Sequence, residues 1–119
     1  MAVVSCWQLP VFRELRVEDS TVLAIRESPT ELRFDMEFVL GMRHPMYRAP
    51  ADDGNCYRKG RMIFRGVHEL RWLKPLSPNA ADGELGSIER FVLDGTAYKL
   101  AGPWGTLELC ASTVDVDVF

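Results

Sequence analysis

The chain has no apolar run approaching the ~18 residues that a bilayer-spanning helix requires, and only two histidines and three cysteines in 119 residues. The first shortage excludes a membrane helix from the reading. The second leaves little from which to build a metal centre or a disulfide framework. Cys6, Cys56 and Cys110 are odd in number and far apart, whereas disulfide-stapled chains are shorter and carry an even count. Reduced thiols in a cytoplasmic protein are expected. The opening Met1-Ala2-Val3-Val4-Ser5-Cys6 has the outline of a lipoprotein cleavage site. It lacks the basic start and apolar stretch of a secretion signal.

Motifs are equally scarce. His44, His68 and Cys56 are the only soft metal-ligand candidates, and none sits at a recognised spacing. Cys56 with His44 lacks a third, orienting group for nucleophilic catalysis. No catalytic residue and no metal ligand is assigned, and nothing calls for a cofactor. The function is not written in any motif.

What the sequence does contain is alternation. At 47% hydrophobic and 26% charged residues, the composition is that of an ordinary globular domain, and the length suits one core, so residues 1–119 read as a single domain. The cleanest strand is 31–40, with Leu32, Phe34, Met36, Phe38 and Leu40 on one face and Arg33, Asp35 and Glu37 on the other. A helical period would scatter those five apolar side chains around the cylinder. Upstream, Leu15 and Val17 are expected to pair with Ile25 and Leu23 across Asp19-Ser20-Thr21, and Ser28-Pro29 turns the chain into the long strand.

Residues 87–118 are expected to form a four-stranded antiparallel meander. Asp94-Gly95 signals a hairpin of type I′, pairing Leu93 with Thr96, Phe91 with Tyr98 and Arg90 with Lys99. Gly102-Pro103-Trp104-Gly105 signals a second turn, pairing Leu100 with Leu107, Lys99 with Glu108 and Tyr98 with Leu109. One face then collects Phe91, Leu93, Tyr98, Leu100, Leu107 and Leu109. A fourth strand, 113–118, adds Val114, Val116 and Val118 to that face and sets Asp117 opposite Glu108, with Asp115 nearby. Three neighbouring carboxylates are a minor candidate for cation binding or acid–base work. Trp104, at a turn tip, is a candidate exposed anchor.

Between these regions the pattern breaks twice. Residues 41–55 carry His44-Pro45, Ala49-Pro50 and Asp52-Asp53-Gly54-Asn55, a loop long enough to suggest a role. Residues 76–86, rich in Pro, Asn, Ala and Gly, form the second break. Alternation resumes over 61–72, with Met62, Phe64, Gly66, His68, Leu70 and Trp72 of one parity and Gly66 marking a bend. A short helix over 67–73 is the alternative. The fold is therefore all-β, with seven to nine mainly antiparallel strands in a sandwich or partly open barrel.

Charge is segregated along the chain. Residues 1–42 hold 4 basic and 7 acidic side chains, 43–74 hold 8 and 3, and 75–119 hold 2 and 7. Lys59, Arg61, Ile63, Arg65 and Arg71 mark a basic-aliphatic face suited to a protein partner or to self-association, with Val67 and Leu73 as further outward apolar neighbours. Pairing of those cations with acidic strands of the same chain is the competing reading. Nucleic acid is the poorer fit, because its binders are basic overall and interleave aromatic residues with the cations. The expected function is a non-catalytic protein-interaction or homodimerising module. The alternative is a small ligand-binding barrel or enzyme whose pocket is lined by His44, Tyr47, His68 and Trp72.

Overall fold

A computed structural model describes residues 3–50, 54–74 and 85–119. Among these residues ten strands follow one another: β1 (Val3–Ser5), β2 (Thr21–Glu27), β3 (Glu31–Leu40), β4 (Cys56–Arg65), β5 (Glu69–Lys74), β6 (Gly86–Ser87), β7 (Arg90–Asp94), β8 (Ala97–Gly102), β9 (Gly105–Cys110) and β10 (Thr113–Val118). They make two open antiparallel sheets facing each other as a sandwich. The first has the order β1-β7-β8-β9-β5 and the second β10-β4-β3-β2-β6. The all-β expectation holds. The strand count exceeds nine because β1 and β6 are edge strands of 3 and 2 residues, too short to show a period. Of the second sequence break, only Leu85 and Gly86 lie within the described residues.

β3 spans the expected residues, and Leu32, Phe34, Met36 and Phe38 are fully buried, with Leu40 nearly so. The β2–β3 connection turns at Ser28-Pro29, where the Ser28 amide donates to the Glu31 carbonyl at 2.9 Å. The hairpin expected from Leu15 and Val17 does not form. Val17–Asp19 winds into a turn of 3-10 helix, and Leu15 bridges to Leu40 instead. Ser20 explains this outcome. Its hydroxyl donates to the Arg16 carbonyl at 2.8 Å and accepts from the Val39 amide at 2.9 Å. That pair of bonds ties the turn to the end of β3 and leaves no strand partner for Val17.

In the first sheet β8 and β9 pair as expected, with Tyr98 opposite Leu109, Lys99 opposite Glu108 and Leu100 opposite Leu107. β7 and β8 pair two residues out of the expected register: Leu93 lies opposite Tyr98, Phe91 opposite Leu100 and Arg90 opposite Ala101. The turn is Gly95-Thr96, with φ +64 at Gly95 and no positive φ at Thr96. Glycine at the first central position is the signature of a type II′ turn. Only one residue then needs the left-handed region, so Asp94 is released to accept from Lys99 Nζ at 3.1 Å. A shift of two preserves side-chain parity, and the buried face is the one expected.

The meander stops at three strands. β10 leaves it and pairs with β4 in the other sheet, Val116 opposite Met62 and Val118 opposite Gly60. The same corner takes β4 into β5, which pairs with β9. Residues 67–73 are thus extended, not helical, since Leu70 and Trp72 alternate toward the core. One long ribbon, β4–β5 against β9–β10, therefore bends from one sheet into the other, as strands do at sandwich corners. At the bend the Ser112 amide donates to the Arg65 carbonyl at 2.9 Å, and the His68 amide donates to the Cys110 carbonyl at 3.1 Å.

Between the sheets lies an aromatic core. Phe64 packs on Phe34, Phe91 and Tyr98, with ring centroids 6.1, 6.0 and 5.1 Å away. Phe12 closes on Phe91 at 5.2 Å. Trp104 is not an exposed anchor. It is buried against Phe34 at 5.6 Å and Trp72 at 6.3 Å, and its indole donates to the Ser87 carbonyl at 3.0 Å. A turn-tip indole that finds a carbonyl can be buried whole.

Gly66 holds the corner at φ +65, and a Cβ added there would stand 2.8 Å from the Ser112 Cβ. Gly66→Ala should lower stability by about 1–3 kcal/mol, a fall of several degrees in thermal midpoint by circular dichroism. A midpoint unchanged within about 1–2 °C, equivalent to about 0.5 kcal/mol, would show that the bend does not constrain the sandwich.

Candidate interaction surface

On the outer side of the second sheet, β4 lies between β3 and β10. Register sets Lys59 opposite Glu37, Arg61 between Asp35 and Asp117, and Ile63 between Arg33 and Asp115. Arg65 bonds both neighbours, with Nη1 donating to Glu31 and Nε to Asp115, each at 2.9 Å. Those hydrogen bonds, that to Asp115 first, hold the Arg65 guanidinium above its usual pKa. Arg71, on the other sheet, donates to Glu108 at 3.0 Å. Of the cations read as a basic face, Arg65 and Arg71 are therefore paired with carboxylates of their own chain. Ile63 is 5% exposed among these long side chains and offers nothing to a partner.

Arg61 Nε is buried and makes no hydrogen bond. Its guanidinium instead lies 4.9 Å from the centre of the Phe119 ring, a cation–π contact. Arg33 Nε stands 3.2 Å from Asp35 Oδ1 yet also lacks a hydrogen bond. The distance satisfies an ion pair while the direction of the N–H does not.

The residues read as one ligand pocket fall into two separate places. His44 and Tyr47 sit beyond the Leu40–Cys56 end of the β3–β4 ladder, and His68 follows its Glu31–Arg65 end. Nine residue steps at ~3.3 Å separate those ends by roughly 30 Å. His44 serves its own turn: its Nδ1 accepts from the Met46 amide at 3.1 Å, while its carbonyl accepts from the Tyr47 amide at 2.9 Å. His68 is exposed, not turned inward, with Nδ1 3.2 Å from the Gly66 carbonyl. Trp72 donates from its indole to Glu27 at 3.2 Å.

Two open depressions flank β5. One of about 520 Å³ is lined by His68, Glu69, Arg71, Glu108 and Cys110, and one of about 420 Å³ by Glu27, Pro29, Val67, His68 and Trp72. The first gathers titratable groups, but Arg71 and Glu108 neutralise each other, and Cys110 Sγ turns to Glu69 at 3.7 Å. The carboxylate trio expected in the meander is dispersed, because β10 carries Asp115 and Asp117 into the other sheet. No cluster of three metal-ligating side chains occurs among the described residues.

The opposite end of the molecule has a different character. Met42 is 81% exposed, Tyr57 53% and Phe119 54%. Tyr57 and Phe119 share the outer face of the second sheet, on either side of Lys59, because the Phe119 amide donates to the Lys59 carbonyl at 2.8 Å. Arg58 Nε donates to the Phe119 carbonyl at 2.7 Å, and Arg48 Nη1 to the Tyr47 carbonyl at 3.1 Å. Among the described residues, no carboxylate stands within ion-pair distance of Arg43, Arg48, Arg58 or Lys59. Beside them lies a depression of about 340 Å³, lined by Leu40, Met42, Tyr47, Asn55 and Cys56 among others. The sequence marked this loop by its length. It did not mark Met42, Tyr57 or Phe119, because single exposed apolar residues carry no periodicity. No helix among the described residues is long and apolar enough to cross a membrane. No family model, curated protein or solved structure matches the chain.

Two outcomes follow from the charges and thiols. Arg61→Glu/Arg65→Glu should lower the thermal midpoint by setting new carboxylates against Glu31, Asp35, Asp115 and Asp117, and about 0.5 M salt, which shortens the screening length to roughly 4 Å, should narrow the deficit. An unchanged midpoint would show that the cross-strand pairs are idle. Cys6 is buried, and its thiol is pushed up to about 12 by burial first and then by the Glu18 carboxylate 3.7 Å away. Since the unfolded thiol ionises near 9.0, the folded state binds the extra proton between those values, and stability should fall as pH rises through that window. Titration with a disulfide reagent should show Cys56 and Cys110 reacting well before Cys6. Rapid reaction of Cys6 in the folded protein would contradict its burial.

Proposed function

We propose that the chain is a non-catalytic protein-binding module that engages its partner through the end of the second sheet formed by residues 41–48, the start of β4 and Phe119. The observation that carries this reading is that Met42, Tyr57 and Phe119, each more than half exposed, lie at the same end of the second sheet, among cations without a carboxylate partner in the described residues. Exposed apolar side chains gathered in one place, with a charged rim, are the mark of an interaction site. Further along β4, Arg65 is already paired with Glu31 and Asp115, and Arg61 lies against the Phe119 ring. The reading accordingly moves the interaction surface from Arg61–Arg71 to the neighbouring loop end. It keeps Lys59 and sets Ile63, Arg65 and Arg71 aside as structural.

The test is a comparison of captures. Wild-type protein, Tyr57→Ala/Phe119→Ala and the control Arg71→Ala would each be used as bait in the same lysate, with thermal midpoints measured alongside. A partner held by wild type and Arg71→Ala but lost by the double variant, at a similar midpoint, supports the proposal. A partner retained by all three baits would place the binding surface elsewhere.

A further inference from the structure

Resting on that reading, we infer that the loop-end surface takes an acidic segment of a protein partner, one whose apolar side chain seats beside Met42 and Tyr57 while its carboxylates meet Arg43, Arg48 and Arg58. Three observations combine. The first is charge: between residues 41 and 59 the chain holds Arg43, Arg48, Arg58 and Lys59 against Asp52 and Asp53 alone, a local excess of cations in a chain whose net charge is −3. The second is orientation. Arg58 and Arg48 each spend one N–H on a backbone carbonyl, at 2.7 and 3.1 Å. This fixes the guanidinium planes and leaves their other N–H groups for a forked contact with a carboxylate.

The third is shape. The depression of about 340 Å³ under Met42 and Tyr47 lies within the lower range of ligand-sized clefts, and Asn55, which lines it, donates to the Tyr57 hydroxyl at 3.4 Å. An apolar anchor entering there would meet Met42 and Tyr47, with Tyr57 joined to the rim through Asn55. Cation and aromatic together also suit a nucleic acid, but on the same outer face Glu37 lies opposite Lys59, and Asp35 and Asp117 lie on either side of Arg61. A phosphate backbone tracking that face would run onto carboxylates. A short acidic segment held by Arg43, Arg48 and Arg58 need not extend along that face.

The experiment is a titration of isotopically labelled protein, followed by amide chemical shifts, with three probes. One is an acidic peptide with a central Trp-Leu flanked by Glu and Asp, another is the same peptide with Lys in place of the acids, and the third is a single-stranded oligonucleotide. The acidic peptide should shift amides within 42–48, 55–59 and at 119, bind roughly tenfold more weakly to Arg43→Glu/Arg48→Glu, and lose affinity at high salt. Equal binding of the Lys peptide, stronger binding of the oligonucleotide, or shifts confined to β5 would each overturn the inference. If the captured partner is lost from Tyr57→Ala/Phe119→Ala while the acidic peptide fails to bind, the surface stands and its acidic occupant does not. If the captured partner is retained by that variant, the surface itself is wrong.

Discussion

Everything in this sandwich depends on a corner at which two strands change sheets together. β4 becomes β5 at Gly66, β9 becomes β10 at Ala111-Ser112, and the two bends are bonded to each other through Arg65 and Ser112. Had only one strand crossed, the ladder would have been broken and a row of backbone groups left unpaired in the interior. Crossing as a pair keeps the ribbon continuous. It also brings Phe64 from one sheet over Phe91 and Tyr98 of the other, so the aromatic core is organised by the same bend.

That crossing also resolves the uneven charge of the chain. The basic β4 is enclosed by the outward carboxylates of β3 on one side and of β10 on the other. Exposed pairs contribute little individually. Their larger effect is on register, because a displaced β10 would set Asp115 and Asp117 away from Arg65 and Arg61. Among the described residues, Arg43, Arg48, Arg58 and Lys59 have no carboxylate within ion-pair distance, which is why the interaction surface is proposed there.

Legibility followed the physics of each segment. β3 was readable to the residue because one of its faces is fully buried, which makes alternation strict. The β8–β9 hairpin was readable because Gly102 and Gly105 bracket a tight turn. The β7–β8 register was not, since Asp94-Gly95 and Gly95-Thr96 are both plausible tips and parity cannot separate them. The destination of β10 was hidden for a deeper reason. Val114, Val116 and Val118 present an apolar face suited to either sheet, and only the partner's position in space decides. His68 illustrates the same limit: its parity pointed inward, but the bend at Gly66 rotates the chain before that residue is reached. The candidate surface was legible only as a loop of unusual length, because its exposed side chains come from segments as far apart as Met42 and Phe119.

One further consequence follows from β10 lying at the edge of its sheet. An open strand edge invites a second copy of itself, and unchecked edge pairing leads to aggregation. Two β10 strands approaching antiparallel about Val116 would bring Asp115 of each copy opposite Asp117 of the other on the same face. The carboxylates that neutralise β4 therefore also act as gatekeepers. They make this edge a poor template for its own kind, and the valines between them can serve the core without seeding a fibre.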